Sequence, residues 1–318
     1  MGDRQSGTSS GARGRSLCLV LICLSAIAAA PGVRAAEREN TAPTSKPKPF
    51  PWRPAYDVRR NIVYATVGGE KLLLDAYVPK AAGPHPAVLV VHGGAWRMGN
   101  KQQLSSIARA LAARGKAAFA INYRLAPKHK FPAQIEDCRA AVRWIADNAK
   151  QHKVDAKRLG AIGYSAGGHL VALLGAQGVE QEAGKAKRTL RLRAVAAGGA
   201  PCDFRNWPPD AGYLAYWLGG TPRQKPKAYV AASPAAFVTA KSSPVFFYNG
   251  ETDRLVRPTS ARAMADALRK AKVDAEFHLV KGAGHMLAAA NRDALTRALK
   301  FLDKHLTASG RPAAKQAK

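Results

Sequence analysis

Ser165 stands in Gly163-Tyr164-Ser165-Ala166-Gly167. This G-x-S-x-G pattern lifts a serine hydroxyl off the end of a strand and starts a helix behind it. Five residues of this kind arise by chance often enough that their flanks must carry the argument. Arg158-Leu159-Gly160-Ala161-Ile162 reads as a short buried strand, and residues 169–174 continue as a helix. Gly163 and Gly167 lack a Cβ, so strand and helix can close up while the serine takes a strained backbone. The plain alternative is a glycine-rich turn with an inert serine.

A serine attacks a carbonyl only if a base takes its proton and a third group holds that base in the right tautomer. Of the eight histidines, His285 is the best base, in the glycine loop Lys281-Gly282-Ala283-Gly284-His285 after an expected strand at residues 275–280. His278 lies inside that strand, His169 in the helix behind the serine and His305 in an amphipathic terminal helix, so these read as structural. Asp253 follows the preceding strand, residues 244–249, and is the expected orienting acid. Glu251, earlier in the same turn, is its substitute, whereas Asp274 precedes a strand and falls at the wrong end of the sheet. The order Ser165, Asp253, His285 is that of the α/β-hydrolases. The developing oxyanion needs backbone donors, and His92-Gly93-Gly94-Ala95-Trp96 offers them at the end of another strand. Gly94 and Ala95, with Gly93 as the register alternative, would join Ala166 at the helix start.

These residues require a sheet whose strand ends converge. From residue 87 onward, unbroken apolar strands alternate with helices, which indicates an α/β fold with a mostly parallel central sheet and helices on both faces. Two antiparallel strands, residues 61–66 and 71–78 around Gly68-Gly69, come first. Between residues 203 and 241 the periods are poor and aromatics cluster, as in a small insertion near the active site. Trp207 and Trp217 from it, with Trp96 and Tyr164, are candidates for lining a substrate pocket; ordinary packing is the competing explanation.

Outside this core the chain divides readily. Arg4, Arg13 and Arg15 precede an apolar run of about fourteen residues, and Val33-Arg34-Ala35 suits a signal peptidase. That run is short of the roughly twenty residues a membrane span needs. The expectation is a signal peptide at 1–35, a proline-rich linker at 36–58, the domain at 59–306 and a basic tail at 307–318, with no integral span after cleavage. The mature protein would be periplasmic or extracellular.

The formal charge of +29 falls by three, to +26, when four arginines and one aspartate leave with residues 1–35. Lysine and arginine are spread along the chain rather than gathered with aromatic residues, which argues for a cationic surface and against nucleic-acid binding. Cys138 and Cys202 remain in the mature part; an exported pair could bridge, but both also suit small buried positions. No cysteine and histidine spacing suggests a metal, and the chemistry calls for no cofactor.

His92 to Trp96, Asn122-Tyr123-Arg124-Leu125-Ala126-Pro127, the serine pentapeptide and the Asp253 and His285 loops together resemble the compact esterases related to hormone-sensitive lipase and to bacterial feruloyl and acetyl-xylan esterases. The likeness covers residues 64–306. It implies Ser165 as nucleophile, His285 as base, Asp253 as its acid, and a small-molecule or glycan-linked ester as substrate. Ala95 stands where lipase-like members often carry a third glycine, so an N–H is kept while the acyl pocket can differ. Two other readings stay open: an amide or peptide-bond hydrolase of peptidase or arylformamidase type, and a non-catalytic cationic protein that binds acidic polymers on the same fold. Acyl and alcohol specificity and oligomeric state are not written in the sequence.

Overall fold

The computed structural model describes residues 54–183 and 186–307. The expected signal peptide, the linker up to residue 53 and the tail from residue 308 lie outside the described residues. Strand β1 (Tyr56–Val67) begins three residues inside the stretch read as linker. It pairs antiparallel with β2 (Glu70–Pro79) across the expected Gly68-Gly69 turn.

The remaining order is β3 (His85–Val91), α1 (Ser105–Ala113), β4 (Ala117–Ile121), α2 (Ala133–Asp147), β5 (Val154–Tyr164) and α3 (Ala166–Gln177). A hairpin of β6 (Val179–Ala183) and β7 (Ala186–Leu190) follows, then β8 (Ala194–Gly198) and the short helices α4 (Ala215–Leu218) and α5 (Pro226–Ala231). The chain closes with β9 (Val245–Gly250), α6 (Thr259–Lys270), β10 (Ala275–Val280), α7 (His285–Ala289) and α8 (Arg292–Leu306). One eight-stranded sheet has the order β1-β2-β4-β3-β5-β8-β9-β10. All neighbours from β4 to β10 run parallel, and β2 runs against both of its partners.

The apolar runs form strands buried on both faces because helices cover each side. In β3, Ala87, Leu89 and Val91 enter one core while Val88 and Val90 enter the other, the two-residue alternation of a pleated strand. The first core is closed by α2, α3 and α6, the second by α1 and α8. Helix α6 buries Ala261, Met264, Ala265 and Leu268, one stripe at helical spacing, and leaves its basic face in water. The side chain of Asn291 caps α8 by accepting the Ala294 N–H at 2.9 Å. Helix α3 is buried from Ala166 to Ala176 because α2 and the residue 234–237 turn pack over the side away from the sheet.

The parallel strands end on one edge, so the segments after β3, β5, β8, β9 and β10 meet there. Among the described residues no helix is long and apolar enough to cross a membrane. Cys138 and Cys202 are both fully buried free thiols, so they fill small core positions instead of bridging. We expect a reducing agent to leave the thermal unfolding midpoint of the domain unchanged; a drop on reduction would show that a bridge contributes.

Candidate active site

Ser165 lies between β5 and α3 with φ 56° and ψ −122°, a conformation costing a non-glycine residue about 1–3 kcal/mol. Two backbone bonds hold it there: the Ser165 N–H donates to Gly198 at 2.8 Å, and its carbonyl accepts from His169 at 2.9 Å. At roughly 1 kcal/mol each, these offset much of the strain. Close approach does the rest. A Cβ on Gly167 would strike the Val91 carbonyl, and one on Gly163 would strike the Gly167 carbonyl. The start of α3 therefore rests directly on the ends of its neighbouring strands, with the serine at the crest.

Three side chains from different strand ends meet in series. His285 Nε2 is 2.9 Å from Ser165 Oγ, and His285 Nδ1 is 2.6 Å from Asp253 Oδ2. The carboxylate can only accept, so Nδ1 carries the proton and Nε2 is left to accept from the serine hydroxyl. The Asp253 side chain is fully buried, and its other oxygen accepts the N–H groups of Leu255 at 2.9 Å and Val256 at 2.8 Å. Glu251 does not reach the histidine; its carboxylate accepts the Gly282 N–H at 2.9 Å and braces the loop that carries His285. Asp274 sits at the far edge of the sheet with Lys304 at 2.7 Å and His305 at 3.0 Å.

The turn after β3 faces the serine: a Cβ on Gly93 would lie 2.9 Å from the Tyr164 carbonyl and 3.3 Å from Ser165 Cβ. Its orientation is fixed from the opposite side. The Gly93 carbonyl accepts from His92 Nδ1 at 2.7 Å, and the Gly94 carbonyl accepts the N–H groups of Arg97 and Met98 at 3.0 Å. In a trans peptide the N–H points away from its carbonyl, so the Gly94 and Ala95 N–H groups are aimed away from those partners. Among the described residues neither they nor the Ala166 N–H donate to another protein group. Gly94, Ala95 and Trp96 have φ of 109°, 50° and 58°, so the turn is strained and needs support.

That support explains three aromatic residues. Trp96 stacks flat on Trp217, ring centroids 3.7 Å apart and 1° from parallel. The Trp96 indole donates to His169 Nδ1 at 3.2 Å, the Trp217 indole donates to Gln134 at 3.0 Å, and the Tyr216 hydroxyl donates to the Ala95 carbonyl at 2.8 Å. Trp217 is wholly buried and Trp96 is 5% exposed, so both depart from the pocket-lining role expected of them: they are the packing that holds the turn. Tyr164, also buried, packs beside the His285 ring at 5.1 Å and donates its hydroxyl to the His285 carbonyl, which makes it a brace for the loop. Trp207 alone of the four pocket candidates is half-buried beside a cavity, tilted against Phe204 and packed edge-on against Tyr213.

Sequence reasoning read His169 as structural, which its contacts bear out, and left Arg124 and His92 without a role. Arg124 grips the buried Asp137 of α2 with Nη2 at 2.7 Å and its own N–H at 2.8 Å, while the Tyr123 hydroxyl donates to the His92 carbonyl at 3.1 Å and the Ala126 N–H to the Trp96 carbonyl at 2.9 Å, so the Asn122–Pro127 motif clamps the turn to α2. His92 and His169 both hold the turn as neutral rings. His169 accepts from an indole at Nδ1, so its proton is on Nε2, which donates to Ala232 at 2.6 Å. Burial lowers both imidazoles to about 4. Among the described residues no cluster of three metal-ligating side chains is present.

Against known proteins, residues 74–268 match the BD-FAE family model. The esterase LipC of Mycobacterium tuberculosis is 29% identical over 243 residues, 72% of this chain and 60% of LipC, so the chain spans well under the whole of that relative. Arylacetamide deacetylase of Bos taurus is 35% identical over 127 residues, 38% of this chain and 32% of that protein. The solved thermophilic esterase Est2 of Thermogutta terrifontis superposes with a TM-score of 0.67 at 26% identity, covering 83% of this chain and 96% of that one.

The buried histidines set an acid limit. An unfolded imidazole takes its proton near 6.5, and these refuse it until about 4, so the unfolded chain binds more protons between those values. Stability is therefore full above about pH 6.5 and is lost as pH falls toward 4, on the order of 3 kcal/mol for each ring. Urea unfolding of the native chain and of a His169→Gln chain should show the substituted chain losing less on acidification. Equal losses would mean the ring does not carry the effect.

Proposed function

This chain belongs to the BD-FAE family, and on that premise we propose that it is a carboxylic ester hydrolase working through a Ser165, His285 and Asp253 triad. The observation that carries this reading is the unbroken series from hydroxyl to imidazole to carboxylate, at 2.9 Å and 2.6 Å. Ser165 Oγ attacks the ester carbonyl and passes its proton to His285 Nε2, while the Asp253 carboxylate steadies the imidazolium through Nδ1. The carbonyl electrons move to an oxyanion held by the N–H groups of Ala166, Gly94 and Ala95, with Gly93 against the serine. As the tetrahedral centre collapses, Nε2 returns the proton to the departing alcohol and an acyl-serine remains. Water, deprotonated by the same nitrogen, then releases the acid. Each oxyanion donor is worth about 3–4 kcal/mol in such a transition state, which is why a strained turn with three positive φ angles is worth holding in place.

A short-chain nitrophenyl ester tests the assignment. Ser165→Ala is expected to lower kcat by at least about 10⁴-fold while the unfolding midpoint stays put. Undiminished turnover would remove the serine from the mechanism. The name of the arylacetamide deacetylase relative favours amide cleavage as the second reading, since the same triad serves both bonds; a matched ester and anilide separate them.

We further propose export, with cleavage between Ala35 and Ala36, on the strength of the basic and apolar pattern before that point. Sequencing the amino terminus of protein recovered from outside the cytoplasm should begin at Ala36. An intact Met1 on the recovered protein would overturn it.

A further inference from the structure

Resting on the esterase reading, we infer that a cavity beside the triad is a subsite for a ring bearing a carboxylate, held by Arg254 and Arg257. The cavity has a volume of about 710 Å³. One wall is the start of the insertion, with Trp207 and Tyr213, and the other is the segment from Arg254 to Ser260. These walls begin after the carboxyl ends of β8 and β9, and the second starts at the residue next to Asp253, so the cavity lies on the same strand-end edge as the Ser165, His285 and Asp253 series without being lined by those three side chains. The two walls are tied together by the Cys202 N–H, which donates to Ser260 Oγ at 3.2 Å.

The charge of the lining is lopsided. Asp203 is the one carboxylate in it, and Arg205 already engages both of its oxygens, at 2.9 Å and 2.6 Å. Arg254 and Arg257 are exposed and pair with no acidic group among the described residues. Two arginines without an acidic partner among the described residues therefore line one cavity, and a planar fork of donors matches a carboxylate better than any neutral group. Trp207 and Tyr213 stand at 73° to one another with centroids 6.3 Å apart, an angled apolar wall. Tyr213 is 80% exposed and Leu255 76% exposed, a large apolar area left in water unless a ring covers it. Cation and flat apolar surface together select a cyclic acid. A glycan uronic acid and an aromatic acid both have that chemistry.

Titration calorimetry on the wild-type protein separates the sources and needs no turnover. One ligand pair is methyl glucuronoside against methyl glucoside, the other 4-hydroxycinnamate against 4-hydroxycinnamyl alcohol. The carboxylate member of at least one pair is expected to bind about tenfold more tightly than its neutral partner. That advantage should shrink in high salt and vanish in an Arg254→Gln, Arg257→Gln chain of unchanged unfolding midpoint. A preference in the sugar pair alone assigns the ring to a glycan acid, and in the phenyl pair alone to an aromatic acid. Equal binding within both pairs, or a preference that survives the double substitution, overturns the inference. Since none of these ligands is hydrolysed, such a failure leaves the esterase reading to the Ser165→Ala experiment.

Discussion

The structure depends on a close backbone approach. The start of α3 presses against the end of β3 so tightly that position 167 has no room for a Cβ, and the same is true of position 163 against the helix itself. The proposed catalytic groups are all positioned from that contact. It forces Ser165 into its strained conformation, puts the Ala166 N–H at the positive end of a buried helix, and brings the Gly93 turn against the serine. A looser junction would relieve the strain and separate the hydroxyl from its donors at the same time.

Much of this was legible because glycine, charge and apolar runs have few interpretations. The central strands were visible as unbroken apolar segments, and their parallel direction followed from the helices between them, whereas their order across the sheet did not. Ser165, Asp253 and His285 were singled out by position at successive strand ends, and the structure brings those three side chains into contact. The hairpin of β6 and β7 escaped notice because residues 180–189 are mostly polar and carry no alternation. Helix α7 was hidden because it is five residues long and opens on His285 itself.

The aromatic residues were harder to read, for a physical reason. A tryptophan near a site covers either a ligand or another side chain, and the sequence has no means of telling the two apart. Trp96 and Trp217 satisfy each other face to face, leaving neither for a ligand. His169 was legible as structural but not in its partners. His169 is a deeply buried hub between an indole and a backbone carbonyl, a role visible only once the helix, the turn and the insertion are brought together.

The insertion is thus not a detachable cover. Trp217 stacks under the donor turn and Tyr216 grips its carbonyl from outside. Exchanging this segment wholesale would also withdraw the buttress of the turn from Gly93 to Trp96. A crossover inside this chain would therefore have to carry Trp96 and Trp217 together, because each indole is the other's packing partner.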